Sequence, residues 1–187
     1  KILDGISLSV AQNETLGIIG PNGAGKTSFF NLLSGIRPAT RGRIFLGEKE
    51  ITHMSIDERA RSGIARTFQT SSIFTNLTLL ENVRIGAQAS LGGSFNITKN
   101  AYKFTDSLEM AHACLQQVGL KSGALQIAGS LSHGDKRRLE IAIVLASSAE
   151  VILLDEPMAG MSVENVPELV EIIRSLARVH HKTVLIV

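Results

Sequence analysis

Gly20-Pro21-Asn22-Gly23-Ala24-Gly25-Lys26-Thr27 has the spacing of a phosphate-binding loop, G-x-x-x-x-G-K-[ST]. Its glycines let successive backbone N–H groups turn inward around an anion. A helix opening near Lys26 aims its partly positive end at the same point. Lys26 brings a full positive charge to β- and γ-phosphate oxygens, and the Thr27 hydroxyl is a ligand for Mg²⁺. The expected nucleotide contacts are Gly20, Pro21, Asn22, Gly23, Ala24, Gly25, Lys26, Thr27 and Ser28. The bland alternative is a Gly-rich turn that only links a strand to a helix, and the flanking elements weigh against it.

A second acidic element complements the first. Val151-Ile152-Leu153-Leu154 is an apolar strand that runs into Asp155-Glu156-Pro157. In open α/β sheets ligands sit beyond the carboxyl ends of the strands, which brings these carboxylates toward the phosphate loop. Successive strand side chains point to opposite faces, so the two acids should not share one task. Asp155 suits the Mg²⁺ shell and Glu156 suits the general base for an attacking water. A solvated acidic pair closing a strand is the competing reading.

The elements that must hold these groups alternate between strand and helix patterns. Leu3 to Val10 and Glu14 to Ile19 read as strands, followed by a helix from about Lys26 to Ser34. Arg43 to Leu46 is a short strand turned by Gly47. Ser55-Ile56-Asp57-Glu58 fits a capping box, and Ile64 to Phe68 is a strand with Gln69 at its end. Thr78-Leu79-Leu80-Glu81 is a second box opening a helix to about Ala89. Ser90 to Asn100 reads as a loop, and Phe104 to Val118 is again helical. Ser132-His133-Gly134-Asp135 opens a longer helix to about Ala146. Glu150 to Leu154, a helix from about Val163 to Val179 and a terminal strand complete the chain.

This pattern predicts an α/β core with a mostly parallel sheet and a helical insertion. The expected division is 1–77 for the first part of the core, 78–146 for the helical part and 147–187 for the rest of the core. Lys1 already stands in a strand-like run and the chain stops within Thr183 to Val187, so the sequence reads as one domain cut at both ends.

Composition sets the outer limits. The 187 residues carry 19 Lys+Arg against 17 Asp+Glu, a net charge of +2, which gives no argument for a nucleic-acid or polyanion binder. With 44% hydrophobic residues the chain can build a core, and its longest apolar run, Ile141 to Ala146, is far too short for a membrane helix. Cys114 is the one cysteine, so there is no internal disulfide framework, and it reads as a buried inert thiol. The five histidines show no metal-ligand spacing; Arg137 and Arg138 read as a solvated helix face. Arg59, Arg61 and Arg66 form no run that suggests nucleic acid.

Leu131-Ser132-His133-Gly134-Asp135, placed shortly before the acidic strand, narrows the family. Here the sequence resembles the ATP-binding cassette (ABC) ATPases, whose signature is written LSGGQ. Gln69 matches the family's Q-loop and Ala159-Gly160-Met161-Ser162 lies where it has its D-loop. The resemblance runs from Leu3 to Val187. It implies the ABC ATPase fold, an N-terminal antiparallel β part included, and two cassettes facing head to tail. Each ATP would lie between the phosphate loop of one cassette and the signature of the other. Ser132, His133, Gly134 and Asp135 would then face the nucleotide of the partner cassette, and Gln69 would contact the metal or the attacking water. His133 replaces a Gly and Asp135 replaces the Gln of the signature. Ser132 with Asp135 also reads as a variant capping box, a role in starting the helix alone. A negative Asp135 suits a phosphate neighbour only if its carboxylate turns back onto the helix end. Ser162 stands where many members have Asp. The family's adenine-stacking aromatic would precede Lys1, its switch histidine would follow Val187, and His180 and His181 match neither.

Gly63-Ile64-Ala65-Arg66-Thr67-Phe68-Gln69, Leu79-Leu80-Glu81-Asn82-Val83 and Lys136-Arg137-Arg138-Leu139-Glu140 resemble the ATP-binding subunits of branched-chain amino acid importers. The urea and amide importers are close behind. That resemblance implies membrane permease subunits, indirectly a solute-binding protein, no nucleic acid, and a place on the cytoplasmic face of the membrane. Phe74 and Leu77 are candidates for permease contact or for core filling. An exporter cassette for lipid or lipopolysaccharide is the first rival. A DNA-repair cassette would carry long heptad insertions, which are absent here, and a P-loop kinase would have no use for the signature.

Overall fold

The computed structural model describes residues 3–67, 73–90 and 100–187. Strand β5 (Val151–Leu154) pairs in parallel on both edges, with β4 (Ile64–Arg66) on one side and β6 (Thr183–Ile186) on the other. Strand β1 (Thr15–Gly17) pairs in parallel with β6, giving the order β1-β6-β5-β4. Parallel neighbours need crossovers rather than tight turns, and helices supply them. Buried on both faces, such strands read as apolar runs, and Ile152, Leu153 and Leu154 are each at most 1% exposed.

Two compact units divide the chain. The first comprises Lys1–Arg66, Ala149–Glu156 and Leu176–Val187; the second comprises Thr67–Ser148 and Pro157–Ser175. The first holds the sheet, helices α1 (Lys26–Leu33) and α2 (Ile56–Arg61), and a hairpin of β2 (Phe45–Leu46) with β3 (Lys49–Glu50). Its core gathers Phe30, Ile51, Ile64, Leu153 and Leu185. Burying a side chain such as Phe30 contributes roughly 2–3 kcal/mol.

The cap at α2 forms as the sequence predicts. Ser55 Oγ accepts from Glu58 N–H, and Glu58 Oε2 accepts from Ser55 N–H at 2.8 Å. These bonds from Ser55 hold the Glu58 carboxyl below its ordinary pKa. At Thr78 only half of the box forms. Thr78 Oγ accepts from Glu81 N–H, while the Glu81 carboxylate turns to Arg84 Nε at 3.0 Å.

Three departures from the sequence pattern have physical reasons. Residues 3–10 form no strand, because their alternation finds no neighbouring strand to pair with among the described residues. The β3 strand escapes the pattern because Lys49 and Glu50 are polar and both exposed. The helix expected from Val163 begins instead as a 3-10 turn, Val163–Asn165, and becomes α6 at Val166–Arg178. Pro167 lies in that helix's first turn, where a missing N–H costs nothing.

In the second unit, α3 (Leu79–Ser90), α4 (Asn100–Gln117) and α5 (His133–Ala146) pack on one another. Leu79, Val83, Ala87, Ala111, Leu115, Leu139 and Ala142 are fully buried there, and Cys114 is buried as expected. Arg137, expected on a solvated face, is buried instead and pairs with Glu140 Oε2 at 2.8 Å. The expected loop of residues 90–100 falls almost wholly outside the described residues.

Gly86 sets the approach of α3 to α5. A Cβ built on it would lie 2.8 Å from the carbonyl oxygen of Ile143. In a free helix Gly→Ala gains about 1 kcal/mol. Here backbone blocks the methyl, so we expect Gly86→Ala to lower stability by about 2 kcal/mol. Chemical denaturation checks the sign; a more stable variant would show that the helices part freely.

Candidate nucleotide site

The phosphate loop leaves β1 through Ile18, whose N–H donates to Ile186 O at 2.7 Å. Within the loop Gly23 has φ +82 and Gly25 has φ +92, conformations only glycine adopts without strain. Gly20 is closely packed, since a Cβ there would meet Ala24 Cβ at 3.3 Å. Gly25 is the N-cap of α1 and offers no side-chain oxygen to the helix start. The amides at that start therefore depend on another acceptor, and a phosphate is one. The Lys26 ammonium folds over the loop and donates to Gly20 O (2.8 Å) and Pro21 O (3.0 Å). Thr27 and Ser28 occupy the first turn of α1, both half-buried.

Asp155 and Glu156 diverge, as adjacent positions at a strand end should. Asp155 is 1% exposed, and its Oδ2 accepts from Arg66 Nη2 at 2.7 Å. Glu156 is exposed and has φ +47, and its N–H donates to Val187 O at 3.0 Å. A left-handed, non-glycine residue costs on the order of 1 kcal/mol or more, and such residues cluster at functional sites. Burial beside a cation fixes the Asp155 carboxylate in place, and exposure leaves Glu156 open to water.

Arg66 joins the acidic end to the phosphate-loop helix. Its Nη1 donates to Asn31 Oδ1 (2.7 Å) and Ser34 Oγ (3.0 Å), at the far end of α1. Its guanidinium carbon also lies 5.7 Å from the centre of the Phe30 ring. Sequence reasoning named this residue only as part of no basic run and of an importer-like stretch, and gave it no role at the site. The signal was present, because a cation within a parallel strand must find buried partners.

In the second unit the signature residues gather at the start of α5. Ser132 is its N-cap, accepting from Asp135 N–H at 3.1 Å. The Ser132 hydroxyl donates to Asp135 Oδ2 at 2.8 Å, so this carboxylate does turn back onto the helix end. His133 Nε2 lies 2.9 Å from Ala159 O, and Asn165 Nδ2 donates to Ser162 Oγ at 2.9 Å. Gln69 lies outside the described residues. Phe74 is 55% exposed and does not fill a core, while Leu77 is half-buried. Among the described residues no cluster of three or more His, Cys, Asp or Glu could hold a metal, and no helix is long and apolar enough to cross a membrane.

Comparison with known proteins gives a consistent result. Residues 3–159 match the family model described as ABC transporter. A high-affinity branched-chain amino acid transport ATP-binding protein, LivG of Salmonella typhimurium, is 35% identical over 99% of this chain and 74% of its own. BraF of Pseudomonas aeruginosa, with the same description, is 34% identical over the same shares. Among solved structures, the ADP conformation of MJ1267, an ATP-binding cassette of an ABC transporter, superposes with TM-score 0.84. It shares 31% identity over 99% of this chain and 74% of that one. Sheet, phosphate loop, acidic strand end and these likenesses agree: the chain belongs to the ABC transporter family, as an ATP-binding and ATP-hydrolysing cassette.

Proposed function

We propose that this cassette powers the uptake of branched-chain or other hydrophobic amino acids, as one of two cassettes working head to tail beneath a membrane permease. The observation that carries this reading is the likeness to LivG and BraF along 99% of the chain. In that assembly Lys26 and backbone N–H groups within residues 20–28, Pro21 having none, hold the ATP phosphates. Ser132, His133, Gly134 and Asp135 face the ATP of the partner cassette. Glu156 takes a proton from the attacking water, which Gln69 helps to place.

Thr27 and Asp155 fit Mg²⁺. A hydroxyl and a buried carboxylate are the hard oxygen donors it prefers, and it takes few protein ligands beside the phosphates. Gln69 is the third proposed ligand. When bound, Mg²⁺ neutralises charge on the phosphate oxygens. Asp155, held by Arg66, keeps its oxygens in place for that contact.

The three proposed parts are 1–77 and 147–187 for the nucleotide-binding core and 78–146 for the helical subdomain. Exposed Phe74 and half-buried Leu77 are the proposed permease contact. Such a contact would hold the cassette at the cytoplasmic face of the membrane. A solute-binding protein would take part only indirectly, since the cassette never meets the amino acid.

Co-purification of the full-length protein tests this reading. We expect two permease subunits and a binder for hydrophobic amino acids. A urea or amide binder would move the solute class, and an exporter-type membrane partner would overturn import.

A further inference from the structure

His133 stands where the family signature has a glycine, and its side chain makes a bond no glycine could make. Its Nε2 lies 2.9 Å from the carbonyl oxygen of Ala159. A carbonyl has no proton to give, so the imidazole donates through Nε2–H. The next residue, Gly160, has φ +74, and a Cβ built on it would come within 3.0 Å of the same nitrogen. One position further along α5, a Cβ on Gly134 would meet Met161 Cε at 3.4 Å and Asn165 Nδ2 at 3.6 Å. The first turn of α5 and residues 159–165 thus form one packed ledge. At Gly160 the absence of a side chain lets it close.

The loop held this way is the one that leaves the proposed base. Only Pro157 and Met158 separate Glu156 from Ala159. Pro157 has a fixed φ, and Glu156 already sits in a left-handed conformation at φ +47. A chain anchored at Ala159 has few ways to relax upstream.

We propose that His133 is a positioning residue for ATP hydrolysis: through Ala159 O it ties the loop that follows Glu156 to the start of the signature helix. Contact made at the signature is thereby passed to the segment that carries the base. The proposal rests on Glu156 as that base, so the tether is read by a measurement independent of hydrolysis.

That measurement is hydrogen exchange at the Met161 amide, which donates to Met158 O at 3.2 Å and reports opening of this loop. In the full-length protein we expect His133→Ala to speed this exchange about five-fold, the loss of one ordinary hydrogen bond. The kcat for ATP should fall by about five-fold or more, with KM within about two-fold of wild type. His133→Gln, whose amide nitrogen can replace Nε2–H as donor, should restore both. Unchanged exchange in His133→Ala would overturn the tether. Faster exchange with unchanged kcat would overturn its part in hydrolysis. A defect confined to KM would overturn the positioning role and leave His133 only its place facing the partner's ATP, and a Gln variant matching Ala in both readouts would remove the hydrogen bond as the cause. A wrong assignment of Glu156 shows separately, as near-normal turnover in Glu156→Gln.

Discussion

Glu156→Gln should leave ATP binding intact and slow hydrolysis by about 100-fold or more. A positioned general base contributes roughly 10²–10⁴ to a rate, and an amide of the same shape cannot take the proton. The backbone requirement is met by the variant: φ is +47 at this position, and Gln tolerates it about as Glu does. The N–H to Val187 O bond is also untouched. Asp155 offers no substitute base, because it is buried and its Oδ2 is engaged by Arg66. The effect should therefore appear in kcat alone. Single-turnover hydrolysis beside a nucleotide titration of the full-length protein separates the two. Turnover within a few-fold of wild type would sink Glu156 as the base.

Arg59→Met should lower stability by about 3 kcal/mol or more. Arg59 is 1% exposed, and among the described residues its guanidinium donates only to carbonyls. Nη1 reaches Leu32 O and Leu33 O, Nη2 reaches Thr52 O at 2.8 Å, and Nε reaches Met54 O at 3.1 Å. Leu32 and Leu33 close α1, so the cation sits at that helix's partly negative end. Burial lowers the Arg59 pKa, yet an arginine keeps its proton at any ordinary pH. Met fills much of the volume and takes the donors from Leu33 O, Thr52 O and Met54 O, and a buried acceptor left unpaired costs about 1–3 kcal/mol. Gly35 belongs to the same arrangement, since a Cβ there would come within 3.1 Å of Arg59 Nε. Arg59→Lys should recover part of the loss, because a point charge cannot span carbonyls laid out for a planar fork. Thermal melts should show Arg59→Met about 10 °C lower. A shift under about 2 °C would show that water satisfies those carbonyls.

What the sequence revealed and concealed follows from the range of each interaction. The glycine-rich turn from Gly20 to Thr27 into α1 was legible because it is made by neighbours in the chain, and so was the cap from Ser55 to Glu58. The apolar run of β5 announced a strand covered on both faces. Arg59 and Arg66 were opaque in detail. A sequence displays their charge but not their partners, which for Arg66 include Asn31 on one side and Asp155 on the other. Arg137 looked like surface for the same reason: its partner Glu140 is a helical turn away, but what buries the pair is not local. Residues 3–10 erred the other way, showing strand alternation without a strand beside them.

The strand order has a consequence for how the nucleotide site comes into being. Among the described residues β1, which delivers the phosphate loop, has β6 as its only neighbour, with Thr15 opposite Val184. β6 also lines the other side of β5, which delivers Asp155 and Glu156. A chain emerging from the ribosome therefore makes this loop well before residues 183–186 and leaves its strand without that neighbour until they arrive. Contacts so distant in sequence are slow to form, and an unpaired strand edge invites association with other chains meanwhile. The proposed nucleotide site is complete only once residues 183–186, made long after its loop, have paired.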